Sequence, residues 1–200
     1  WLRLVPLGVL ALGAGLVLMP GRDCDRSALR GRYVHCLRRY EGTPYFWGGE
    51  TRIGIDCSGL VRKGLIDANV EQGLRTLNGR LLRAGLSLWW SDCSARALAE
   101  EYQNRTRKLF EAPSINAIDP DRLQPGDLAV TSGGIHVLAY LGENEWIEAD
   151  PGFTKVVRVR VPSKDNPWFK MRVQVLRWRA LDDGTTRRRR PTASSASSAD

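Results

Sequence analysis

At 200 residues and 22.4 kDa the chain has room for one ordinary domain with short extensions, and not comfortably for two. With 42% hydrophobic and 26% charged residues it can bury a core, which excludes wholesale disorder. The net charge of +8 suggests an anionic partner, but residues 21–186 carry 25 basic against 21 acidic side chains, only +4, so a nucleic-acid reader is not expected.

Residues 4–20, LVPLGVLALGAGLVLMP, are an uninterrupted apolar run behind Arg3. At ~1.5 Å per residue they reach about 26 Å, near the lower limit for a bilayer span. Residues 1–21 are therefore read as a hydrophobic signal anchor or signal peptide, with a buried core helix as the third option. The run ends in Met-Pro-Gly-Arg without a small-x-small cleavage site, which favours the anchor. Arg22, Arg26 and Arg30 follow directly and do not settle orientation. Ser27 to Arg39 reads as a short helix with Leu29, Tyr33, Cys36 and Leu37 at helical spacing. After a glycine-rich loop a second helix opens near Cys57 and runs to about Asn69. Residues 70–92 carry no clear pattern, and a further helix is expected around Ser94 to Tyr102.

From Asp127 the period changes to two: DLAVT, IHVLAYLG, EWIEAD, KVVRVRV and FKMRVQVLRW, separated by Gly, Asn, Pro and Asp turns. Helices followed by a run of antiparallel strands indicate an α+β domain. Residues 184–200, GTTRRRRPTASSASSAD, have no apolar periodicity and read as a disordered basic and Ser-rich tail. Its Arg187–Arg190 run is read as solvated, with wall or lipid phosphate as the functional option.

Two histidines and four cysteines make the chemical census short. No two cysteines lie closer than twelve positions, so a structural zinc site is not expected. In an oxidising compartment Cys24, Cys36 and Cys93 could form a disulfide in three ways that sequence does not rank. Cys57 stands apart, in GGETRIGIDCSGLVRKGL, where a loop becomes a helix. Asp56 is a natural N-cap, and a first-turn thiol is activated by the helix dipole and free N–H groups. The same N–H groups can hold an oxyanion. Cys36 reads as core, and Cys93 lacks a glycine-rich approach.

A thiol nucleophile wants a base held by a third group. His136 opens the apolar strand IHVLAYLG, whereas His35 reads as a surface or packing residue of a helix. Glu148 follows twelve positions later on the return strand, within reach of the imidazole across a hairpin. Asp150 shares its face and competes for that role.

These stretches together resemble the NlpC family of papain-like cysteine peptidases that cut bacterial cell-wall peptides. Gly42 to Gly49, GTPYFWGG, is similar to the family's P-Y-x-W-G-G loop, and Asp56 to Val61, DCSGLV, to its nucleophile motif. Leu123 to Ala149 is similar to the block bearing Q-P-G-D-L, the catalytic histidine and a third polar residue. The likeness extends over about residues 28–180, so an NlpC-like peptidase domain is expected at 22–183, with N-terminal helices packed on an antiparallel sheet. It implies Cys57 as nucleophile, His136 as base and Glu148 as orienting residue, where the family usually has His, Asn or Gln. Tyr45 matches a loop tyrosine that assists the oxyanion, and Asp56 and Ser58 match positions lining the substrate groove. Neither metal nor organic cofactor is implied. LLRAGLSLWWSDCSARALAE replaces a Pro-Arg-x-Ser-type segment, and Trp89 and Trp90 within it either wall the cleft or pack in the core.

The expected activity is hydrolysis of amide bonds in peptidoglycan stem peptides by a monomer at the cell envelope. A membrane contact through residues 4–20 goes with it. An idle wall-binding or scaffold module of the same fold is the alternative, as is an acyl or amide transferase acting on lipid or protein.

Overall fold

The computed structural model describes residues 5–184. The expected tail at 184–200 thus lies, Gly184 apart, outside the described residues, as do residues 1–4 of the apolar leader. Five helices, α1 (Val5–Leu18), α2 (Arg26–Arg38), α3 (Cys57–Thr76), α4 (Gly79–Trp90) and α5 (Ala95–Ala99), precede the sheet. Its strands are β1 (Thr106–Ala112), β2 (Leu128–Thr131), β3 (Val137–Gly142), β4 (Glu145–Asp150), β5 (Lys155–Arg160) and β6 (Val173–Trp178). They form one antiparallel sheet in the order β1-β6-β2-β3-β4-β5. The α+β class and its helices-then-strands order hold.

Period-two alternation gives the sheet two apolar faces. Leu128, Val130, Val137, Ala139, Ile147 and Leu176 pack against Leu37, Leu60 and Val61 of α2 and α3. Ala129, Leu138, Tyr140, Trp146 and Val175 pack instead against Ile115, Ile118 and Phe169, from the two long connections flanking β2 and β6. This second layer faces the side of β4 that carries Glu148.

Several boundaries differ from expectation. Residues 70–92 are almost wholly helical: α3 runs on to Thr76, Leu77 ends it in the left-handed region (φ 48°), and Asn78 caps α4 at once. Three glycines and scattered polar residues along the buried side of α3 blur its period. The helix expected at Ser94–Tyr102 shortens to Ala95–Ala99. Strand β1, TRKLFEA, was not anticipated, because an edge strand with a bulge and mostly half-exposed positions shows no clean alternation. In FKMRVQVLRW only Val173–Trp178 is strand, since Phe169 belongs to a 3-10 turn over Pro167–Lys170. The core reading of Trp89 and Trp90 fails, for both side chains are exposed. All four cysteines are free thiols, and Cys36 is fully buried, as a core residue should be. No helix among the described residues is long and apolar enough to cross a membrane.

Candidate active site

The loop before α3 is tied to the far edge of the sheet. Gly42 N–H donates to Val156 O, Tyr45 N–H to Thr154 O, and Val156 N–H to Thr43 O. Inside the loop, Asp56 N–H donates to Gly49 O. Two glycines are required by contact here: a Cβ on Gly49 would lie 2.5 Å from Gly54 O, and one on Gly59 2.4 Å from Gly49 O. Asp56 then caps α3, its Oδ1 accepting from Gly59 N at 2.6 Å and from Ser58 Oγ at 3.0 Å. Its Oδ2 accepts from Gly48 N at 2.9 Å. One carboxylate thus joins the W-G-G loop to the helix start, and the backbone N–H groups of Cys57 and Ser58 lie in the turn that helix geometry leaves without acceptors.

Cys57, nearly buried at that start, is a neighbour whose charge couples to that of His136. His136 is set by the β2–β3 turn, where its N–H donates to Thr131 Oγ1 at 3.0 Å and its carbonyl accepts from Thr131 N–H. Its Nε2 lies 2.6 Å from Glu148 Oε2, and Glu148 is wholly buried. With Nε2 engaged, Nδ1 is the nitrogen left for the sulfur. The register that pairs Ala139 with Ile147, carried three residues on, sets Asp150 directly opposite His136 and Glu148 one pleat away. The longer side chain nevertheless makes the bond. Asp150 Oδ1 is turned to Gly152 N (2.5 Å) and Phe153 N (3.2 Å), closing the β4–β5 turn.

Two residues here had not been singled out. Asn166 is buried, and its Nδ2 donates to Glu148 Oε1 at 2.6 Å. Its Oδ1 accepts from Trp168 N at 3.0 Å, and the Trp168 ring stacks on the imidazole with centroids 4.3 Å apart. A single short segment therefore holds both the carboxylate and the ring. Its sequence signal, Asn-Pro-Trp, marks only a capped turn; nothing local says that the connection from β5 to β6 brings it under β4.

The electrostatics follow from burial and pairing. Burial disfavours the imidazolium of His136, but hydrogen bonds and charge from Cys57 and Glu148 outweigh it and raise the group to about 9. Burial holds the Glu148 carboxyl above its ordinary range, against hydrogen bonds from His136 and Asn166 that pull it down. Tyr45, partly buried, is pushed up to about 12 by burial, then by Cys57, Asp56 and Asp150, and stays a hydroxyl donor at neutral pH. A thiol next to an imidazolium at a helix start has the makings of a nucleophile. Ser58 donates to Asp56 beside it. His35 and Cys93 lie elsewhere: His35 is exposed on α2, and Cys93 is buried between α4 and α5. Among the described residues no cluster of three or more His, Cys, Asp or Glu could hold a metal ion.

A family model described as the NlpC/P60 family matches residues 42–177. Dipeptidyl-peptidase 6 of Lysinibacillus sphaericus is 30% identical over 132 residues, covering 66% of this chain and 36% of that protein. The Probable endopeptidase NlpC of Escherichia coli (strain K12) is 33% identical over 119 residues, 56% of each. The chain thus spans about a third to a little over half of the lengths of these curated relatives. A solved structure, the peptidoglycan hydrolase RipB of Mycobacterium tuberculosis, is 24% identical with a TM-score of 0.45, covering 82% of this chain and 79% of that one.

Proposed function

The chain belongs to the NlpC/P60 family, and from that premise we propose that it is a cysteine-dependent amidohydrolase cleaving amide bonds in peptidoglycan stem peptides. The observation that carries this reading is Cys57 at a helix N-terminus, coupled in charge to the His136 imidazole, whose Nε2 Glu148 holds at 2.6 Å.

His136 keeps the thiol proton, and the Cys57 thiolate attacks the amide carbonyl carbon. Negative charge moves to the carbonyl oxygen, toward the Cys57 N–H and the Tyr45 hydroxyl. The C–N bond breaks as His136 gives its proton to the leaving nitrogen, and a thioester remains on Cys57. Water then attacks the thioester, His136 accepts its proton, and the acid departs as the C–S bond breaks and the Cys57 thiolate re-forms beside the protonated His136. Glu148 keeps the ring in one tautomer and offsets the imidazolium charge. Asp56 and Ser58 are assigned to the groove beside the nucleophile, presenting polar edges to the peptide while they cap α3. This substrate lies outside the cytoplasmic membrane, so the site of action is the cell envelope.

The test uses the full chain and purified peptidoglycan, with new free amines and cut stem peptides followed by mass spectrometry. Wild type is expected to release cleaved peptides that Cys57→Ala does not. Equal yields from the two proteins would sink the reading, and product formed only with an added amine or hydroxyl acceptor would replace hydrolysis by transfer.

A further inference from the structure

We propose that helix α4 is a second membrane contact, a strip that lays the domain against a lipid bilayer beside the apolar N-terminal helix. The starting point is α1, whose sequence, VPLGVLALGAGLVL, has no polar side chain on any face. In its last turns Ala14 and Leu18 are exposed, and a Cβ on Gly13 or Gly15 would meet nothing within 4 Å. A helix apolar on all sides, with its last turns open in this way, needs an apolar medium around it. A protein groove covers one face of a helix, whereas lipid covers every face, and this favours lipid as the occupant.

The end of α1 is held against α4. Arg83 Nη1 donates to Val17 O (2.6 Å) and Met19 O (3.0 Å), and Gly79 N–H donates to Pro20 O. Asn78 grips the next stretch from both sides, its Oδ1 accepting from Arg22 N and its Nδ2 donating to Arg22 O. A Cβ on Gly79 would lie 2.1 Å from Met19 O, so glycine is needed where the two segments meet.

On α4, Gly79, Arg83, Leu86 and Trp90 occur at i, i+4, i+7 and i+11, which is one stripe of a helix. The opposite side, Leu81, Leu82, Gly85 and Leu88, is buried. The stripe that receives α1 at one end therefore continues, over about 16 Å of helix, to Leu86 (48% exposed) and Trp90 (81% exposed). Trp89 (56% exposed) meets Trp90 edge-to-face at 6.0 Å and widens the patch. Exposed Trp pairs with an apolar body and one N–H suit the level of lipid headgroups. No acidic residue interrupts α4. Arg83 within the strip and Arg80 beside it, the latter 3.4 Å from Asp23, give this end of the helix a basic character that suits an anionic surface.

The full chain is mixed with vesicles of phosphatidylcholine alone or with a quarter phosphatidylglycerol, and intrinsic fluorescence is read with lipids brominated near the headgroup. Wild type is expected to float with the vesicles and to bind the anionic ones about tenfold more tightly. Trp89→Phe/Trp90→Phe, with an unchanged unfolding midpoint, is expected to lose about half or more of the bromine quenching. Flotation with equal quenching of the two proteins would overturn the proposal, because α1 alone would then hold the chain. Absence of flotation would overturn it as well. So would a double variant that is not quenched differently but no longer cuts peptidoglycan, for the Trp pair would then wall the substrate cleft. Flotation and quenching do not require the Cys57 chemistry, so failure here and failure of the hydrolase reading are distinguishable.

Discussion

Two buried charge pairs lie in one sheet and differ in what they can do. Asp127, just before β2, takes Arg177 of β6 in a fork, Nε at 2.6 Å and Nη2 at 2.8 Å, with Gln124 N–H adding a third bond at 2.7 Å. His136, just before β3, meets Glu148 of β4 at 2.6 Å. All four side chains are almost wholly buried. A guanidinium cannot give up its proton in a protein, so the first pair is a clamp with fixed charge. The imidazole titrates, and its charge is coupled to that of Cys57. Similar geometry therefore gives a strut in one place and a proton-handling site in the other, and what separates them is whether the cation can change charge and what stands next to it.

The sharpest way to break that contrast is Glu148→Gln. The amide fits the space but removes the negative charge and allows the wrong tautomer, so turnover is expected to fall by about 10²–10⁴. Loss of the carboxylate also removes one of the interactions that raise His136 to about 9. The alkaline limb of the pH–rate profile, set by loss of the imidazolium, should then move to lower pH. A Glu148→Gln enzyme with the wild-type limb would mean that Glu148 does not govern the charge on the ring.

Asp127→Ala tests the other pair. Leaving Arg177 charged and buried without its acceptor should cost about 3–5 kcal/mol, read as a lower denaturation midpoint. Activity per folded molecule and the position of the alkaline limb should stay near wild type. The pairs also differ in how stability responds to pH. The folded pKa of His136 lies near 9, above the unfolded value of 6.5, so its contribution is full below about 6.5 and is lost as pH rises through about 9. Arg177 contributes no such loss over that range.

This contrast marks what the sequence could and could not disclose. Cys57, His136 and the hairpin that brings Glu148 near were legible, because a cap, a glycine-rich turn and period-two strands are local signals. Asp150 and Glu148 share one face at the same period, so alternation had no means of choosing between them; side-chain length and the β4–β5 turn decide it. Asn166 lies 18 residues from Glu148 along the chain and reaches it by a connection with no period of its own. The α3–α4 corner was hidden for a different reason: Leu77 takes a left-handed conformation where glycine would have announced a stop.

Asn166→Ala is expected to act next most strongly. It leaves Glu148 Oε1 buried without its donor, at a cost of about 1–3 kcal/mol shared between stability and transition-state binding. A tenfold fall in kcat with KM little changed would fit a residue acting through Glu148, and Asn166→Ser, a shorter donor, should recover only part of it. An unchanged kcat would leave Asn166 as packing alone.

The smallest expected effect belongs to Trp168. Its ring stacks on His136 at 4.3 Å and 21°, within the range where an aromatic face favours a cation. Such stacking is worth about 0.5–2 kcal/mol. Trp168→Ala should therefore slow turnover about 3- to 30-fold and lower the alkaline limb slightly, because the imidazolium loses more than the neutral ring does. Trp168→Phe, which keeps a face over the ring, should restore most of the rate and the limb together. Were Trp168→Phe as slow as Trp168→Ala, the indole would be serving only to fill space beneath β4. The distinction between strut and proton-handling pair would then rest on Glu148 and Cys57 without help from the aromatic layer.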